Sequence, residues 1–445
     1  MVVSAGGARW ITPLQWFAAA CVLHTCALSV AWWHISGPLI SSGVPGNRLV
    51  ALGRLVGLLV GSAVLLQLAL VSRLPWIEPS VGCDRLYCLH RYIGVVIAPL
   101  FVSHPVLLTV GYARRHRVSL SEQFVKIASG WPHAWLAIVA LVIIALVVTS
   151  SLPPIRRHLT YDAWHASHIA MYLAIGLASI HQASGAEMLE QPWWWWYWVT
   201  LHVAVIGALL AFRAGRPVFN LARHRFRIDR IVSESDDVTS VYLKGRRLER
   251  FSFRAGQYAN VAFLTRGHWA PHPFSFSAAP NGRFLRISIK AVGDFTRRIR
   301  HLTPGTLVLL EGPLGAFTAG PSNGCKFLMI AGGIGITPIR ALIESLAGKC
   351  DVVLVYGARA ANDLVFAAEL RALTPRCHFI LSQTAKADDG YLQGRIDGAM
   401  LEKLVPDIQG RETFLCGPPA MMESVIGALR ALRVDGWRVH YERFA

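Results

Sequence analysis

Apolar residues come in long unbroken runs over the first 213 positions and in short, alternating ones afterwards. Six early runs stand at roughly 11–33, 49–71, 87–111, 134–150, 165–181 and 193–212. A helix crossing a bilayer needs about 20 apolar residues, with ~17 at the short end. The pattern therefore predicts a six-helix transmembrane bundle over residues 1–213. The first run is long and holds His24, so it reads as a retained helix rather than a cleaved leader. From about residue 222 the texture becomes RFRIDRIV, VTSVYLK, GQYANVAFL, FLRISIK and TLVLLEG, separated by Gly and Pro turns. Such alternation predicts a small antiparallel β-barrel over 222–320. Buried strands entering glycine turns and then helices predict an α/β domain over 321–445.

Composition agrees with this division. The chain is 53% hydrophobic and 16% charged, against about 25% charged in soluble proteins. Its net charge is +18, but no basic run carries interleaved aromatics, so nucleic acid is not an expected partner. Loop Arg and Lys residues number ten on the side of the N-terminus and five on the other. That places the soluble half in the cytoplasm and the bundle in the cell (inner) membrane. The cluster Arg114, Arg115 and Arg117 runs against the rule, as either a functional basic rim on the outer face or a tolerated exception. The tract Trp193–Trp198 is expected to form an interfacial aromatic belt. None of the eight cysteines forms a CxxC pair, so a zinc or iron–sulfur site is not expected.

Four histidines lie inside the third and fifth runs: His90 and His104, then His168 and His181. Ionisable groups at bilayer depth are costly and point to function. Paired imidazoles suit the axial positions of haem iron in electron transfer. The first pair is 14 residues apart, which is ~21 Å of rise with both rings within about 40° of one helix face. The second pair is 13 apart, which turns the rings about 140° from each other on an ideal helix. Ligation therefore predicts a distorted fifth helix, such as a π-bulge near Gly176, or haems that sit asymmetrically. The third and fifth helices run parallel, so His90 and His168 would hold an inner haem and His104 and His181 an outer one. Arg54, in the second run, would meet a haem propionate or an anionic acceptor, or else snorkel to the interface.

In the soluble half, His272-Pro273-Phe274-Ser275 sets an aromatic beside a hydroxyl in an extended segment, able to cover and bond a flavin. Ile289-Lys290-Ala291-Val292-Gly293-Asp294-Phe295-Thr296 offers a cation and a glycine where a helix begins, suited to a pyrophosphate. Ala331-Gly332-Gly333-Ile334-Gly335-Ile336-Thr337-Pro338 follows a buried strand and opens a helix, as in nucleotide-binding α/β units. Arg359 follows the next strand, where it can accept a 2′-phosphate. Thr413-Phe414-Leu415 leads into Cys416-Gly417-Pro418-Pro419.

HPFSFSAAP, IKAVGDFT, AGGIGITP and CGPPAMM resemble the FAD and NAD(P) domains of ferredoxin-reductase type. With the histidine-bearing bundle they resemble bacterial members of the NADPH oxidase and ferric reductase superfamily. The resemblance implies FAD, two b-type haems and NADPH as cofactors, with NADH as the alternative. It implies that Phe274 stacks on flavin and that Ser275 approaches its reactive nitrogen. His272 stands where soluble relatives carry Arg, and Lys290 and Thr296 would hold the FAD pyrophosphate. Gly332, Gly333, Gly335 and Thr337, with Pro338, would cradle the nicotinamide dinucleotide. Cys416, Gly417 and Pro418 would lie near the nicotinamide, and Phe444 would shield flavin, although Ala445 follows it here. The expected activity is transmembrane electron transfer to O2 giving superoxide, with ferric-chelate reduction as the alternative. A reading of another class is an electron-donating subunit or redox sensor for a partner protein.

Overall fold

The computed structural model describes residues 13–185, 191–320, 325–383 and 390–443. The chain divides into two compact units, one ending at Arg213 and one starting at Ala214; the segment Glu78–Asp84 groups with the second.

The first unit is helical. Its main elements are α1 (Pro13–Ser41), α2 (Asn47–Val71), α3 (Cys83–His116), α4 (Leu120–Gly130), α5 (Ala134–Ser151), α6 (Tyr161–Ala183) and α7 (Pro192–Ala208). Among the described residues, five helices are long and apolar enough to cross a membrane: those in α1, α2, α3 and α5, and the one that starts at Pro192. Helix α6 has the length, 23 residues, but Asp162, His165, His168 and His181 dilute its apolar content. Helix α3 runs well past the expected 87–111 at both ends and carries Pro99 and Pro105 inside it.

Two expectations fail here. The tryptophan tract is not simply an interfacial belt. Trp194 and Trp198 are only 1% and 2% exposed and pack with Leu28 and Ala31 of α1. Trp193 and Trp196 are exposed. The tract is helical, so positions four apart share the inward face and the others point away. Helix α6 is also unbroken, with α-helical bonding from Tyr161 to Ala183. The only π-helical segment among the described residues is Leu209–Gly215, after α7.

The second unit opens with α8 (Arg216–His224). Strands β1 (Arg227–Ser233), β2 (Val238–Lys244), β3 (Tyr258–Phe263), β4 (His272–Ser275) and β5 (Leu285–Lys290) follow, then α9 (Asp294–Arg298) and β6 (Val308–Leu314). They make two three-stranded antiparallel sheets, ordered β1–β2–β5 and β4–β3–β6. Single bridges, Arg227 to Leu307 and Phe276 to Ile287, tie further segments to them. Alternate residues of both sheets enter one core that includes Val241, Phe263, Phe276, Ile287 and Leu310.

The rest of the unit is a parallel sheet. Its elements are β7 (Lys326–Gly332), α10 (Ile336–Leu346), β8 (Asp351–Ala358), α11 (Ala367–Leu373), β9 (Cys377–Leu381), β10 (Leu392–Gln393), α12 (Gly398–Leu404), β11 (Glu412–Cys416), α13 (Pro419–Ala431) and β12 (Val439–Glu442). The strand order is β10–β9–β8–β7–β11–β12. The order reverses direction at β7, and ligands of such sheets bind outside the carboxyl ends of the strands at that point. At the opposite edge, Cys325 and Cys350 form a disulfide. Arg411, only 1% exposed, bonds Asp407 and Asp351 there.

Candidate functional site

The carboxyl ends of β7 and β11 bring two sequence motifs together. Ala331 pairs with Cys416 in register. A Cβ on Gly335 would stand 2.3 Å from the Cys416 carbonyl oxygen, and one on Gly332 would stand 2.2 Å from Met421 Sδ. Gly417 packs against Gly332 from the other side. The two turns thus meet backbone to backbone, which only glycine permits. Gly333 takes φ +51°, the left-handed region. Thr337 Oγ1 donates to the Ile334 carbonyl and ties the turn to the start of α10. Pro338 is buried inside α10, and Pro418 caps α13.

Tyr356 is a residue that motif reading missed. Its hydroxyl donates to the Gly333 carbonyl at 3.2 Å and accepts from Val365 N–H at 3.3 Å. Burial pushes its pKa up, so it remains a neutral donor that steadies the glycine turn. Arg359 is exposed, and its Nε donates to Asp363 at 3.1 Å.

Strand β4 presents the expected flavin segment. Ser275 is buried and faces Tyr258 in register. Its hydroxyl has no hydrogen-bond partner among the described residues. Buried polar groups are rarely left unpaired, so this hydroxyl suits a ring-edge nitrogen of flavin. Phe274, His272 and Phe295 form one ring cluster, with His272 and Phe295 centred 3.8 Å apart. Pro273 is exposed. Lys290 is already paired, with Asp237 at 3.1 Å. Burial acts against the Asp237 carboxylate, yet the Lys290 bond holds its pKa below the usual range. Thr296 Oγ1 accepts from the amides of Val292 and Gly293, both at 2.9 Å, which shapes the start of α9. Ile289 points into the hydrophobic core instead of toward a ligand. Phe444 lies outside the described residues.

In the first unit, one of the two expected histidine pairs comes together. The rings of His90 (α3) and His168 (α6) are centred 6.2 Å apart. Two imidazoles on opposite sides of one metal, each bonded at about 2 Å, would have ring centres roughly 6 Å apart. His104 and His181 lie further along the same two helices. The buried Nδ1 atoms of His90, His168 and His181 have no hydrogen-bond partner among the described residues. His104 Nδ1 donates to the Gly53 carbonyl at 2.8 Å. Its Nε2 therefore carries the lone pair, as a metal ligand oriented through its second nitrogen does. No cluster of three or more His, Cys, Asp or Glu gathers among the described residues, and a haem iron requires only two axial side chains.

Helix α6 is unbroken, so no backbone bulge offsets the 13-residue spacing of His168 and His181. Helix α2 supplies what the histidine spacing did not reveal. A Cβ on Gly57 would stand 2.6 Å from His104 Cε1, and one on Gly53 would stand 2.9 Å from Leu108 Cδ2. Gly53, Gly57 and Gly61 repeat every four residues, a small-residue stripe visible in the sequence and suited to close helix packing. Gln67 Nε2 donates to the His90 carbonyl at 2.9 Å, and the Trp164 ring lies 5.2 Å from His168. Arg54 bonds the Tyr112 hydroxyl at 3.4 Å, next to the carbonyl that holds His104.

Comparison with known proteins agrees with both units. Residues 56–179 match the ferric reductase like transmembrane component, 224–317 an FAD-binding domain and 329–426 the oxidoreductase NAD-binding domain. These three in this order are the architecture of the NADPH oxidase and ferric reductase type, and the protein is an oxidoreductase. It is 28% identical over 242 residues to an NADPH oxidoreductase of Mycobacterium tuberculosis, covering 52% of this chain and 62% of that one. It is 29% identical over 236 residues to the glycine betaine monooxygenase reductase subunit of Pseudomonas aeruginosa, covering 50% and 64%. The chain thus spans less than two thirds of these curated relatives. Among solved structures, the flavohem-like FAD/NAD-binding domain of nitric oxide dioxygenase from Vibrio cholerae aligns with a TM-score of 0.43 at 27% identity, covering 50% of this chain and 99% of that one.

Proposed function

We propose that this protein carries electrons from NAD(P)H through FAD and two b-type haems across a membrane to an acceptor on the far side, with O2 reduced to superoxide. The observation that carries the reading is the approach of His90 to His168, ring centres 6.2 Å apart, between two helices that also carry His104 and His181. FAD would supply acceptance of a hydride and release of single electrons; haem would supply one-electron carriage. The residues present, orient and shield. Gly332, Gly333, Gly335 and Thr337 bind the dinucleotide; Cys416, Gly417 and Pro418 border the nicotinamide. Phe274 and Ser275 hold flavin, with His272, Lys290, Gly293 and Thr296 along its pyrophosphate. His90 and His168 hold the inner haem, His104 and His181 the outer one. All six long helices cross the bilayer in this reading, and the two antiparallel sheets form the flavin barrel.

The loop count of Arg and Lys supports a cytoplasmic soluble half, with this membrane the inner one in the reading. The Cys325–Cys350 disulfide weighs the other way, because disulfides are rare in reducing compartments. Labelling of a Lys403→Cys variant, exposed on α12, with a membrane-impermeant maleimide before and after permeabilising the cells decides between them.

A ferric chelate is the second acceptor to test, because Arg114, Arg115 and Arg117 are exposed and would attract an anionic chelate. Purified protein in liposomes, given NADPH without added iron, is expected to produce superoxide. NADPH oxidation only on addition of ferric chelate, insensitive to superoxide dismutase, transfers the assignment to iron. Absence of haem absorbance in the purified protein overturns the reading.

A further inference from the structure

A ring of four charged side chains joins the flavin-bearing segment to the nucleotide-binding helices, and the electron path itself does not use it. Arg286, on β5, is 3% exposed and bonds Glu369 of α11 through both terminal nitrogens, at 3.0 and 3.2 Å. Arg340, on α10, reaches the same Glu369 at 2.8 Å and pairs with Glu344 one turn on. Both guanidinium groups also donate to the Ser277 carbonyl, at 2.8 and 3.1 Å. Glu344 accepts the Ala279 amide at 2.6 Å. Two cations and two anions close on each other, so the ring is neutral although half of it is buried.

Its placement matters more than its charge. Ser277 lies two residues beyond Ser275, on the segment assigned to flavin. Arg340 lies three residues beyond Thr337, on the helix whose start cradles the dinucleotide. One cluster therefore sets the spacing between the two segments that must present hydride donor and acceptor to each other. Hydride transfer needs reacting atoms about 3–3.5 Å apart, and a 1 Å misplacement can cost ~100-fold.

We propose that Arg286, Arg340, Glu344 and Glu369 are positioning residues for hydride transfer from nicotinamide to flavin. This rests on the reading of Phe274–Ser275 as the flavin segment and Gly332–Thr337 as the dinucleotide cradle. Arg411 provides the control. It is as deeply buried and as fully ion-paired, but it stands at the amino-terminal edge of the same sheet, away from the cradle.

The test is anaerobic stopped-flow bleaching of flavin in the full-length protein in lipid nanodiscs, with NADPH and NADH. Glu369→Gln keeps the side chain's shape and removes its charge. Flavin reduction at saturating nucleotide is expected to slow about tenfold or more, with FAD stoichiometry and nucleotide Kd unchanged. Glu369→Asp is expected to recover part of the rate. Arg411→Met is expected to melt earlier yet reduce flavin at the wild-type rate. A wild-type rate in Glu369→Gln overturns the proposal, as does a loss of rate that tracks loss of FAD. If Glu369→Gln does not fold, Glu344→Gln is measured by the same criteria. Failure of both nucleotides to bleach wild-type flavin overturns the site reading itself, and the proposal with it.

Discussion

The two units hold their candidate cofactors by different means. In the helical unit the candidates are single side chains: His90 and His104 on one helix, His168 and His181 on another. No local motif surrounds them, and the partners lie 78 and 77 positions apart in the chain. In the soluble unit, backbone does it. Two glycine turns, ending β7 and β11, meet so closely that a Cβ on Gly335 would sit inside van der Waals contact of the Cys416 carbonyl. A side-chain ligand tolerates changes around it as long as its helix stays in place. A backbone cradle tolerates almost none at its glycines, and for that reason leaves a strong local signature.

The contrast can be broken by direct substitution. The largest effect is expected from His168→Leu: one haem's absorbance is lost and electron transfer across the membrane stops, while NAD(P)H still bleaches flavin. An unchanged haem count would remove His168 from the ligand set. Gly335→Val should do the converse in the soluble unit. Flavin reduction falls ~100-fold through displaced nucleotide, and the haem spectrum stays intact. Gly57→Ala asks whether backbone also governs the helical unit. Its Cβ would meet His104 Cε1 at 2.6 Å, so the outer haem's signal should shift or weaken while the inner one remains. Arg359→Ala is smaller. NADPH should lose about tenfold in kcat/KM relative to NADH, about 1.4 kcal/mol; equal losses for both would remove the 2′-phosphate role.

The smallest effect belongs to the far edge of the parallel sheet. The Arg411 bond, with help from Lys326, lowers the Asp407 pKa to about 2. A carboxylate with a depressed folded-state pKa contributes stability above its unfolded value, about 3.9, which is lost as pH falls toward the folded value. Thermal unfolding should therefore lose a step of stability between about pH 4 and pH 2. Arg411→Met should flatten that step; an unaltered profile would assign it to other carboxylates.

Much of this was legible from residues alone. The runs of apolar residues marked the helical unit, and the glycine motifs marked the cradle, because both signals are local. The barrel-like alternation foretold β1 to β6, although the strands resolve into two small sheets. Three things were misjudged. Trp194 and Trp198 are packing residues because helical periodicity turns them inward, whatever the interfacial habit of tryptophan. Helix α6 is unbroken, where a bulge was one of the ways read for its 13-residue histidine spacing. Ile289 sits in the core because β5 alternates its faces, and a motif string does not say which residues face the ligand. Other contributors went unseen. Tyr356 supports the turn from a neighbouring strand, and the glycine stripe of α2 was visible but had no partner to interpret it against.

By itself, the sequence determined the class of protein: a membrane half with four intramembrane histidines, joined to flavin and nucleotide motifs in a set order. Hydrophobic period, glycine turns and residue chemistry act within a few positions of each other, so they can be read along a line. The tertiary structure alone decided which nitrogen of His104 is engaged, that Gly57 lies under its ring, and that Arg286, Arg340, Glu344 and Glu369 close on one another. Those contacts join residues tens of positions apart. Their energies depend on distance and burial, which a linear pattern does not carry.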